Sequence, residues 1–596
     1  MKTPSRAAII TLVGLIMPSG CSPRPDYHPE SGAIADPDGD LLVINARIWT
    51  ADELQKSATA MLVREGVFIH VGDESSARSK TRQGARIIDA GGRIVIPGLI
   101  DSHLHLIDGG LQLSRLNLRD VPDRPAFIEA VRRRATETPP GRWIQGGRWS
   151  TESWPDPTQP NKEWIDAVTP DNPALLSRMD GHAALANRIA LDKAGIDLHG
   201  PEDPPGGQIE RDPATGEPTG ILKDTAIELV RRQIPELTDT ELDAGLVAAM
   251  KHANEHGITC VHTMSGFSHL AVFDRARERG ALTLRIRQYI SEDQWQDFIG
   301  RAKAHRNDDW VRVAGFKAYA DGSLGSRTAF MKSPYADNSA ERPDWRGLVI
   351  ALGDSAALTS ACVEIMRHSF APAIHAIGDE ANAAILRTYS TALRQVRDTG
   401  SVGGPPPMPR IEHAQHLLPE SIPEFAAYGV VASMQPLHKA DDARYAEKAI
   451  GVDRCKTSYA FRSLIDAGAV VAFGSDWPVV SLDPFSGVRA AVTGLSLDRR
   501  LFVPEQNITV DEALICYTRN AACAAGDVAT LGMIREGLLA DFLILDFDPF
   551  TIDPAKINRF RGETFVAGRR VAQTSNTTEP TRVISWNGDK SPQNGR

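Results

Sequence analysis

The alternation of strand-like and helical segments through the middle of the chain constrains the fold most strongly. Helical patterns such as 241–255, 355–370, 380–397 and 458–467 fall between short apolar runs rich in β-branched residues. Eight such runs lie at 99–105, 257–263, 284–290, 311–320, 371–377, 410–415, 429–435 and 469–475. Strands that alternate with helices in this way predict an α/β fold, specifically a (β/α)8 barrel of the TIM type.

Shorter strands at both ends of the chain predict a second, smaller domain. Runs at 41–49, 60–71, 86–95, 540–547 and 564–572 are bounded by turn residues at spacings that suit a β-sandwich. We therefore expect residues 40–96 and 535–575 to form one β-sandwich, and residues 97–534 to form the barrel. The stretch RIVIPGLIDSHLHL at 93–106 joins the two.

The regular alternation of strands and helices is interrupted once, by a long segment between the first and second barrel strands. A connection this long should carry its own structure, so we expect an inserted subdomain at about 111–245 that lies over the barrel mouth and contacts the substrate. Within it, Arg148, Trp149 and Trp154 suggest either an aromatic pocket or plain hydrophobic core.

The two termini look like export and tail segments. Residues 1–21 (MKTPSRAAIITLVGLIMPSGC) combine a basic start, a short apolar run and small residues before Cys21, which predicts a bacterial-type signal peptide. Cleavage there, with or without a lipid on Cys21, makes the protein exported, either periplasmic or anchored in the membrane as a lipoprotein. Residues 22–39 are predicted to form an exposed linker, and residues 576–596 a disordered tail.

The charge distribution limits the classes of molecule that we expect the protein to bind. The net charge is −10, and acidic and basic residues are mixed along the chain, so the basic footprint that nucleic acid requires is missing. We expect a small-molecule substrate, no nucleic acid, and membrane contact only through the lipid anchor. The oligomeric state stays open.

Polar residues at the predicted ends of the barrel strands suggest a metal site. Active sites of such barrels lie at the C-terminal ends of the strands, and the residues there are His103, His105, Lys317, His375, His413 and Asp476. Zinc and similar ions favour imidazole and carboxylate ligands. Taken one at a time, each histidine has an ordinary structural alternative, such as a core histidine or an ion pair, and Asp476 could cap a turn.

Lys317 is the unusual member of this set. A lysine in a barrel mouth is costly to bury without a partner. It therefore either pairs with Asp321 or a substrate anion, or reacts with carbon dioxide to give a carbamate that bridges two metals. The residues alone leave both readings open.

Several ordered motifs resemble the amidohydrolase superfamily, and specifically its amidohydrolase-3 branch, which includes formamide deformylases. The motifs are PGLIDSHLHL, SRMDGHAALAN, GFKAYADGSLGSRTA, HAIGDEAN, RIEHAQHL, ASMQPLH, GSDWPV and GLLADFLILD, spread over residues 41–572. The resemblance implies a composite of a β-sandwich and a metal-bearing barrel, as the spacing also predicts.

The resemblance also implies roles for the site residues. His103, His105 and Asp476 would hold the more buried metal, His375 and His413 the second, and carbamylated Lys317 would bridge them. One or two divalent ions, zinc by preference, would activate a hydroxide. Asp476 would carry the proton from the attacking water to the departing nitrogen. The expected reaction is hydrolysis of a non-peptide carbon–nitrogen bond in an amide, an N-substituted formamide or a cyclic amide.

A further group of residues is expected near the substrate: His182, Tyr319, Asp321 and His438. For each of them a structural role is an equal alternative. Two other functions also remain open from the sequence: an exported solute-binding barrel with a structural metal, and a metal-assisted lyase or isomerase, because fold does not fix the reaction.

Overall fold

The computed structural model describes residues 39–574 and 583–585, apart from residues 120, 152–153, 179–182, 205–206, 292–294, 339, 341, 351–353, 401–406 and 558. Within this part of the chain, two compact units are found. One comprises the described residues up to 106 and from 250 onward, and the other the described residues from 107 to 249.

The larger unit contains the predicted barrel. Eight strands pair in parallel, each with its sequence neighbour. Barrel strands one to eight are Leu99–Leu104, Ile258–Ser265, Arg285–Ser291, Val311–Tyr319, Ala371–Ala376, Arg410–His413, Val431–Met434 and Val471–Phe473. The backbone N–H of Asp476 donates to the carbonyl oxygen of His103 at 2.6 Å, so the segment after strand eight adjoins strand one and the barrel closes. The predicted fold class is confirmed.

Helices surround the barrel strands. They are Phe267–Glu278, Trp295–Ala304, Ser355–Arg367, Asp379–Thr399, Ile422–Tyr428, Pro436–Asp442, Ala446–Ile450, Val452–Cys455, Phe461–Asp466, Pro484–Thr493, Val510–Cys516 and Arg519–Ala524, with 3₁₀ turns at Pro419–Ser421, Pro504–Gln506 and Pro554–Lys556. A further helix, Asp239–Asn254, includes the boundary between the two units in the sequence. The helices pack on the outer faces of the strands, and the largest apolar core of the unit joins the two layers.

Both ends of the chain build the β-sandwich. One sheet, in spatial order, is Val583–Ser585, Arg86–Asp89, Leu41–Ile44, Ala60–Arg64 and Val67–Gly72, with the helix Glu74–Lys80 beside it. The other is Arg569–Gln573, Gly562–Val566, Phe542–Leu545, Ile94–Pro97, Arg47–Trp49 and Ser57–Ala58. Apolar side chains from both sheets share one core, in which Phe542 stacks on Phe565. Gly98 lies between sandwich strand Ile94–Pro97 and barrel strand one and separates the two strands.

The second unit is the insertion after strand one. Its sheet, in spatial order, is Gly207–Arg211, Pro218–Asp224, Ala183–Ala186, Ala174–Arg178, Ile144–Trp149 and Leu116–Asn117, and its helices are Leu106–Ser114, Arg124–Glu137, Lys162–Asp166, Arg188–Lys193 and Ile227–Arg231. Trp149 and Trp154 are buried in an apolar cluster of this unit, where they donate their indole N–H groups to backbone carbonyls. Both tryptophans are therefore core residues.

The chain ends differ from expectation in one place. The prediction of a disordered tail is wrong for Val583–Ser585, which pair antiparallel with Arg86–Ile88 and extend a sandwich sheet by one strand. Two β-branched residues in this short stretch favour the extended conformation. The predicted signal peptide at 1–21 and most of the linker at 22–39 lie outside the described residues. Among the residues that are described, no helix is long and apolar enough to span a membrane.

Candidate metal centre

Two histidines and an aspartate meet where barrel strands one and eight end. The Nε2 atom of His103 lies 3.5 Å from Asp476 Oδ1, and the Nε2 atom of His105 lies 3.3 Å from the same oxygen. Asp101 joins the two strand ends, because its Oδ1 accepts the backbone N–H groups of His103 and Ser475, each at 3.0 Å. Burial raises the pKa of Asp101 to about 7.

The other two histidines adjoin this group. The ring centroid of His413 lies 4.9 Å from that of His103 and 4.5 Å from that of His375. His375 places its Nε2 atom 3.1 Å from the carbonyl oxygen of Gly322, so its Nδ1 atom is the one left for a metal. Burial lowers the pKa of His375 to about 3 and holds that of His413 well below the usual range. Both rings are therefore neutral, as metal ligands must be.

Lys317 is buried beside the cluster. Its Nζ atom lies 4.7 Å from the ring centroid of Tyr319. Burial lowers the pKa of Lys317 to about 8, although the negative charges of Glu412 and Asp476 act in the opposite direction. At pH 7 about one-tenth of a lysine with a pKa of about 8 is an uncharged amine, the form that reacts with carbon dioxide.

Three of the predicted ligands form a group that could hold a metal ion. One ligand atom from each of His103, His413 and Asp476 lies within 4.8 Å of the others. The resemblance assigns His413 to a second metal with His375, whereas the geometry places it between His103 and His375. The predicted division into two metal positions stays a prediction.

A buried polar network supports the cluster. It was not predicted from the sequence. The Nδ1 atom of His103 lies 2.5 Å from Glu412 Oε2, and Arg410 donates its Nε–H to Glu412 Oε1 at 2.8 Å. Burial alone would raise the pKa of Glu412, but Arg410 and His103 hold it well below its usual range. Arg410 also donates to Ser102 O, Ser433 Oγ and Tyr289 Oη. The Arg-x-Glu spacing in strand six was the available signal, since alternate residues share one face of a strand.

Of the four residues that were expected near the substrate, the three that the structure describes lie in different parts of it. The Nε2 atom of His438 is buried without a hydrogen-bond partner and lies 3.8 Å from Asp476 Oδ2. Tyr319 is 39% exposed next to Lys317 and His375. Asp321 is buried, and its two oxygens accept the backbone N–H groups of Ile377, Gly378 and Phe330, which gives it a structural part in holding loops. His182 lies outside the described residues.

The hydrogen bonds on the far side of each ring show whether a metal fits. His105 Nδ1 lies 3.0 Å from the carbonyl oxygen of Met264, an acceptor only, so Nδ1 carries the proton and Nε2 presents a lone pair. Glu412 fixes His103 in the same way. Two lone pairs thus face a carboxylate oxygen of Asp476, an arrangement that a cation must stabilise. Such hydrogen bonds to the outer ring nitrogen are typical of metal-binding histidines.

The barrel and its histidine–aspartate cluster together define a metal-dependent hydrolase of the barrel type. The amidohydrolase family model matches residues 86–572. The chain belongs to the amidohydrolase family, and it is a hydrolase that acts on carbon–nitrogen bonds of small molecules. The solute-binding alternative is thereby set aside.

Similar proteins span almost the whole chain. Protein LONG AFTER FAR-RED 3 of Arabidopsis thaliana is 35% identical over 91% of this chain and 92% of its own length. N-substituted formamide deformylase of Arthrobacter pascens is 27% identical over 86% of this chain and 94% of its own. The crystal structure of an uncharacterised metal-dependent hydrolase from Pyrococcus horikoshii OT3 is similar to 87% of this chain and 100% of that one, with a TM-score of 0.71 and 25% identity.

Proposed function

We propose that the protein hydrolyses non-peptide carbon–nitrogen bonds in amides, N-substituted formamides or cyclic amides, with a divalent metal such as zinc. The observation that carries this proposal is the convergence of His103 Nε2 and His105 Nε2 on Asp476 Oδ1, at 3.5 and 3.3 Å. The name of the Arthrobacter relative, N-substituted formamide deformylase, supports the choice of bond.

The residues present would hold one or two ions. In the proposed arrangement, His103, His105 and Asp476 would hold the more buried ion. His375 Nδ1 and His413 Nε2 would hold the second, and Lys317, as its carbamate, would be a ligand to both. The Nδ1 atom of His413 lies 2.8 Å from Gln435 Oε1, an acceptor that directs the ring's other nitrogen into the cluster.

A bound divalent ion supplies a Lewis acid and lowers the pKa of water to about 7. The carboxylate of Asp476 takes the proton of the attacking water and passes it to the departing nitrogen. A carboxylate beside a bound cation stays ionised until it receives that proton. His438 and Tyr319 lie at the edge of the cluster and are proposed to contact the substrate.

Metal analysis combined with turnover tests the proposal. The protein as purified should contain one or two equivalents of divalent metal, and it should hydrolyse at least one member of a panel of N-substituted formamides, amides and cyclic amides. Chelation should abolish that activity, and added zinc should restore it. Bound metal without hydrolysis anywhere in the panel, or a product of elimination or isomerisation, contradicts the proposed reaction.

The Asp476→Asn variant tests the proton-transfer role. We expect kcat/KM to fall by about 10²- to 10⁴-fold, because the amide cannot carry the proton, while the thermal midpoint changes little. Asp453→Asn is the matched control, since the side chain of Asp453 is 93% exposed. Near-normal activity of Asp476→Asn contradicts the assignment.

We also propose that the protein is exported, on the strength of the predicted signal at residues 1–21. Fractionation of a bacterial host tests this proposal. The mature protein should appear in the periplasm or the membrane fraction, and a Cys21→Ser variant should leave the membrane fraction if Cys21 carries a lipid. Retention of the uncleaved chain in the cytoplasm contradicts export.

A further inference from the structure

A cavity of about 380 Å³ lies on the outer side of the barrel wall, between strands four and five and the helix Ser355–Arg367. Phe316, Ile374 and the helix residues Leu358, Ala361 and Ile365 form its walls. Side chains alternate along a strand. Because Lys317 and His375 face the metal cluster, Phe316 and Ile374 face the opposite side.

The cavity nevertheless reaches the end of the barrel where the cluster lies. Its lining includes Ser291, Lys317 and Tyr319, which end barrel strands three and four. The Tyr319 ring centroid is 4.7 Å from Lys317 Nζ and 5.4 Å from the His375 ring centroid. One partly exposed aromatic ring therefore borders both the cluster and the cavity.

Ile350 and Asp354, both exposed, line the cavity on the solvent side. Ile350 lines the cavity and is 54% exposed, and its neighbours Leu348 and Val349 are exposed as well. The backbone N–H of Ile350 donates to the carbonyl oxygen of Ala320 at 2.9 Å, which ties this segment to the end of strand four. Adjacent exposed apolar side chains at a cavity are typical of a ligand-binding surface.

We propose that this cavity is the pocket for an apolar substituent of the substrate, reached past Tyr319. The inference rests on the proposed amide hydrolysis and narrows its substrate class to amides or formamides that carry a medium-sized aliphatic or aromatic group. The volume lies within the range of about 300–1,000 Å³ typical of small-molecule pockets. Most of the residues that line the cavity are apolar, which favours an apolar substituent; the charged residues Lys317 and Asp354 also line it.

Two homologous substrate series test the pocket and show which side of the amide enters it. One series is N-alkylformamides from methyl to hexyl, and the other is N-methylalkanamides of the same chain lengths. In the series whose chain enters the cavity, kcat/KM should rise by about fourfold for each added methylene until the cavity is full. A flat dependence in both series overturns the proposal.

Variants of the helix test the location. Ala361→Phe fills the cavity and should remove the preference for long chains, so that kcat/KM no longer rises from methyl to hexyl. Ala356→Phe is the matched control, because Ala356 is exposed on the same helix and does not line the cavity. Leu358→Ala enlarges the cavity and should move the optimum to longer chains, which provides a test if Ala361→Phe does not fold. Unchanged chain-length profiles in the folded variants overturn the proposal.

Thermal shift separates failure of the pocket from failure of the proposed function. If no substrate is turned over, the proposed function fails, but N-hexylformamide should still raise the thermal midpoint more than N-methylformamide does. Ala361→Phe should abolish that difference. Equal shifts for the two compounds on the unsubstituted protein overturn the pocket.

Discussion

Glu412 orients His103 although it is not itself one of the proposed ligands. Its side chain is fully buried between His103 and Arg410, with an acceptor oxygen toward each. A carboxylate on the outer nitrogen of a metal-binding histidine fixes the tautomer and raises the basicity of the ligand. The charge on Arg410 keeps Glu412 ionised for this role.

We expect Glu412→Gln to weaken metal binding by about 10- to 100-fold, because the amide is a poorer acceptor for His103. The free energy of unfolding should also fall by about 3 kcal/mol, since Arg410 loses its buried counter-charge. Competition with a chromophoric chelator measures the first effect, and urea denaturation the second. Glu447→Gln, at an exposed position, should change neither. Unchanged metal affinity in Glu412→Gln would contradict the role given to this carboxylate.

Sequence alone could predict which residues gather at the barrel mouth, but not how two of them are oriented. Strict alternation in strand six puts Arg410 and Glu412 on the inner face and sends His413 outward. The backbone of His413 instead turns into the left-handed region at φ +76°, and that of Asp476 does so at φ +59°. Positive φ at non-glycine residues is uncommon. The pattern of apolar residues does not indicate where such a backbone angle occurs. Glu412 contacts His103 and not its chain neighbour His413.

The close contact between strands one and eight brings the proposed ligands together. Gly474, just after strand eight, packs against strand one so closely that a Cβ atom there would lie 2.5 Å from the backbone nitrogen of His103 and 2.8 Å from Asp101 Oδ1. Only a residue without a side chain allows Asp476 to reach the carbonyl oxygen of His103.

Gly474→Ala should therefore push strand eight away from His103. We expect a destabilisation of about 1–3 kcal/mol from overpacking, together with weaker metal binding because Asp476 moves relative to His103 and His105. Isothermal titration with zinc and thermal unfolding measure the two effects. Gly300→Ala is the control, since its helix position has open space around the added Cβ atom. Normal zinc affinity in Gly474→Ala would contradict the importance of this approach.

The sequence located the barrel strands well but set some of their ends incorrectly. Strand eight was expected at 469–475 and is only Val471–Phe473, because the chain leaves the sheet at Gly474 to form the site. The helix Ser355–Arg367 likewise ends before the expected residue 370. Apolar periodicity marks where an element packs, whereas its ends depend on tertiary contacts that the pattern does not contain.

At the scale of the whole molecule, buried arginine–aspartate pairs join the barrel to segments that follow it. Arg287 and Arg312, near the start of strands three and four, donate to Asp527 at 2.5 and 2.7 Å. Arg285 donates twice to Asp541, next to sandwich strand Phe542–Leu545, at 2.7 and 2.9 Å. These contacts lie at the N-terminal ends of the strands, the face of such barrels that serves stability.

The Asp527 pair should give a pH-dependent contribution to stability. Burial would raise the pKa of Asp527, but Arg287 and Arg312 outweigh it and lower the pKa to about 2. Because the folded-state pKa lies below the unfolded value of about 3.9, the contribution is complete above that value and is lost as the pH falls toward 2.

We expect Asp527→Asn to lower the free energy of unfolding by about 2–3 kcal/mol at pH 7, with the difference from the unsubstituted protein closing between about pH 5 and pH 2. Urea denaturation at several pH values measures it. The exposed control Asp453→Asn should show no such gap. A gap that persists unchanged at pH 2 would contradict the ionic origin.

Alternating elements and end strands were enough to predict the barrel and one sandwich built from both ends. The edge strand Val583–Ser585 was missed because the surrounding tail is polar, and three residues are too few to set a pattern.

In the proposed function, hydrolysis depends on a metal held by the cluster at the barrel mouth. Anomalous diffraction at the zinc absorption edge, from crystals of the zinc-loaded protein, locates that metal. We expect a peak about 2.0–2.2 Å from the ligand atoms of His103, His105 and Asp476, with a second, if present, beside His375 and His413 and carbamate density on Lys317. A zinc peak elsewhere, with none within bonding distance of His103, His105, His413 or Asp476, would contradict the account.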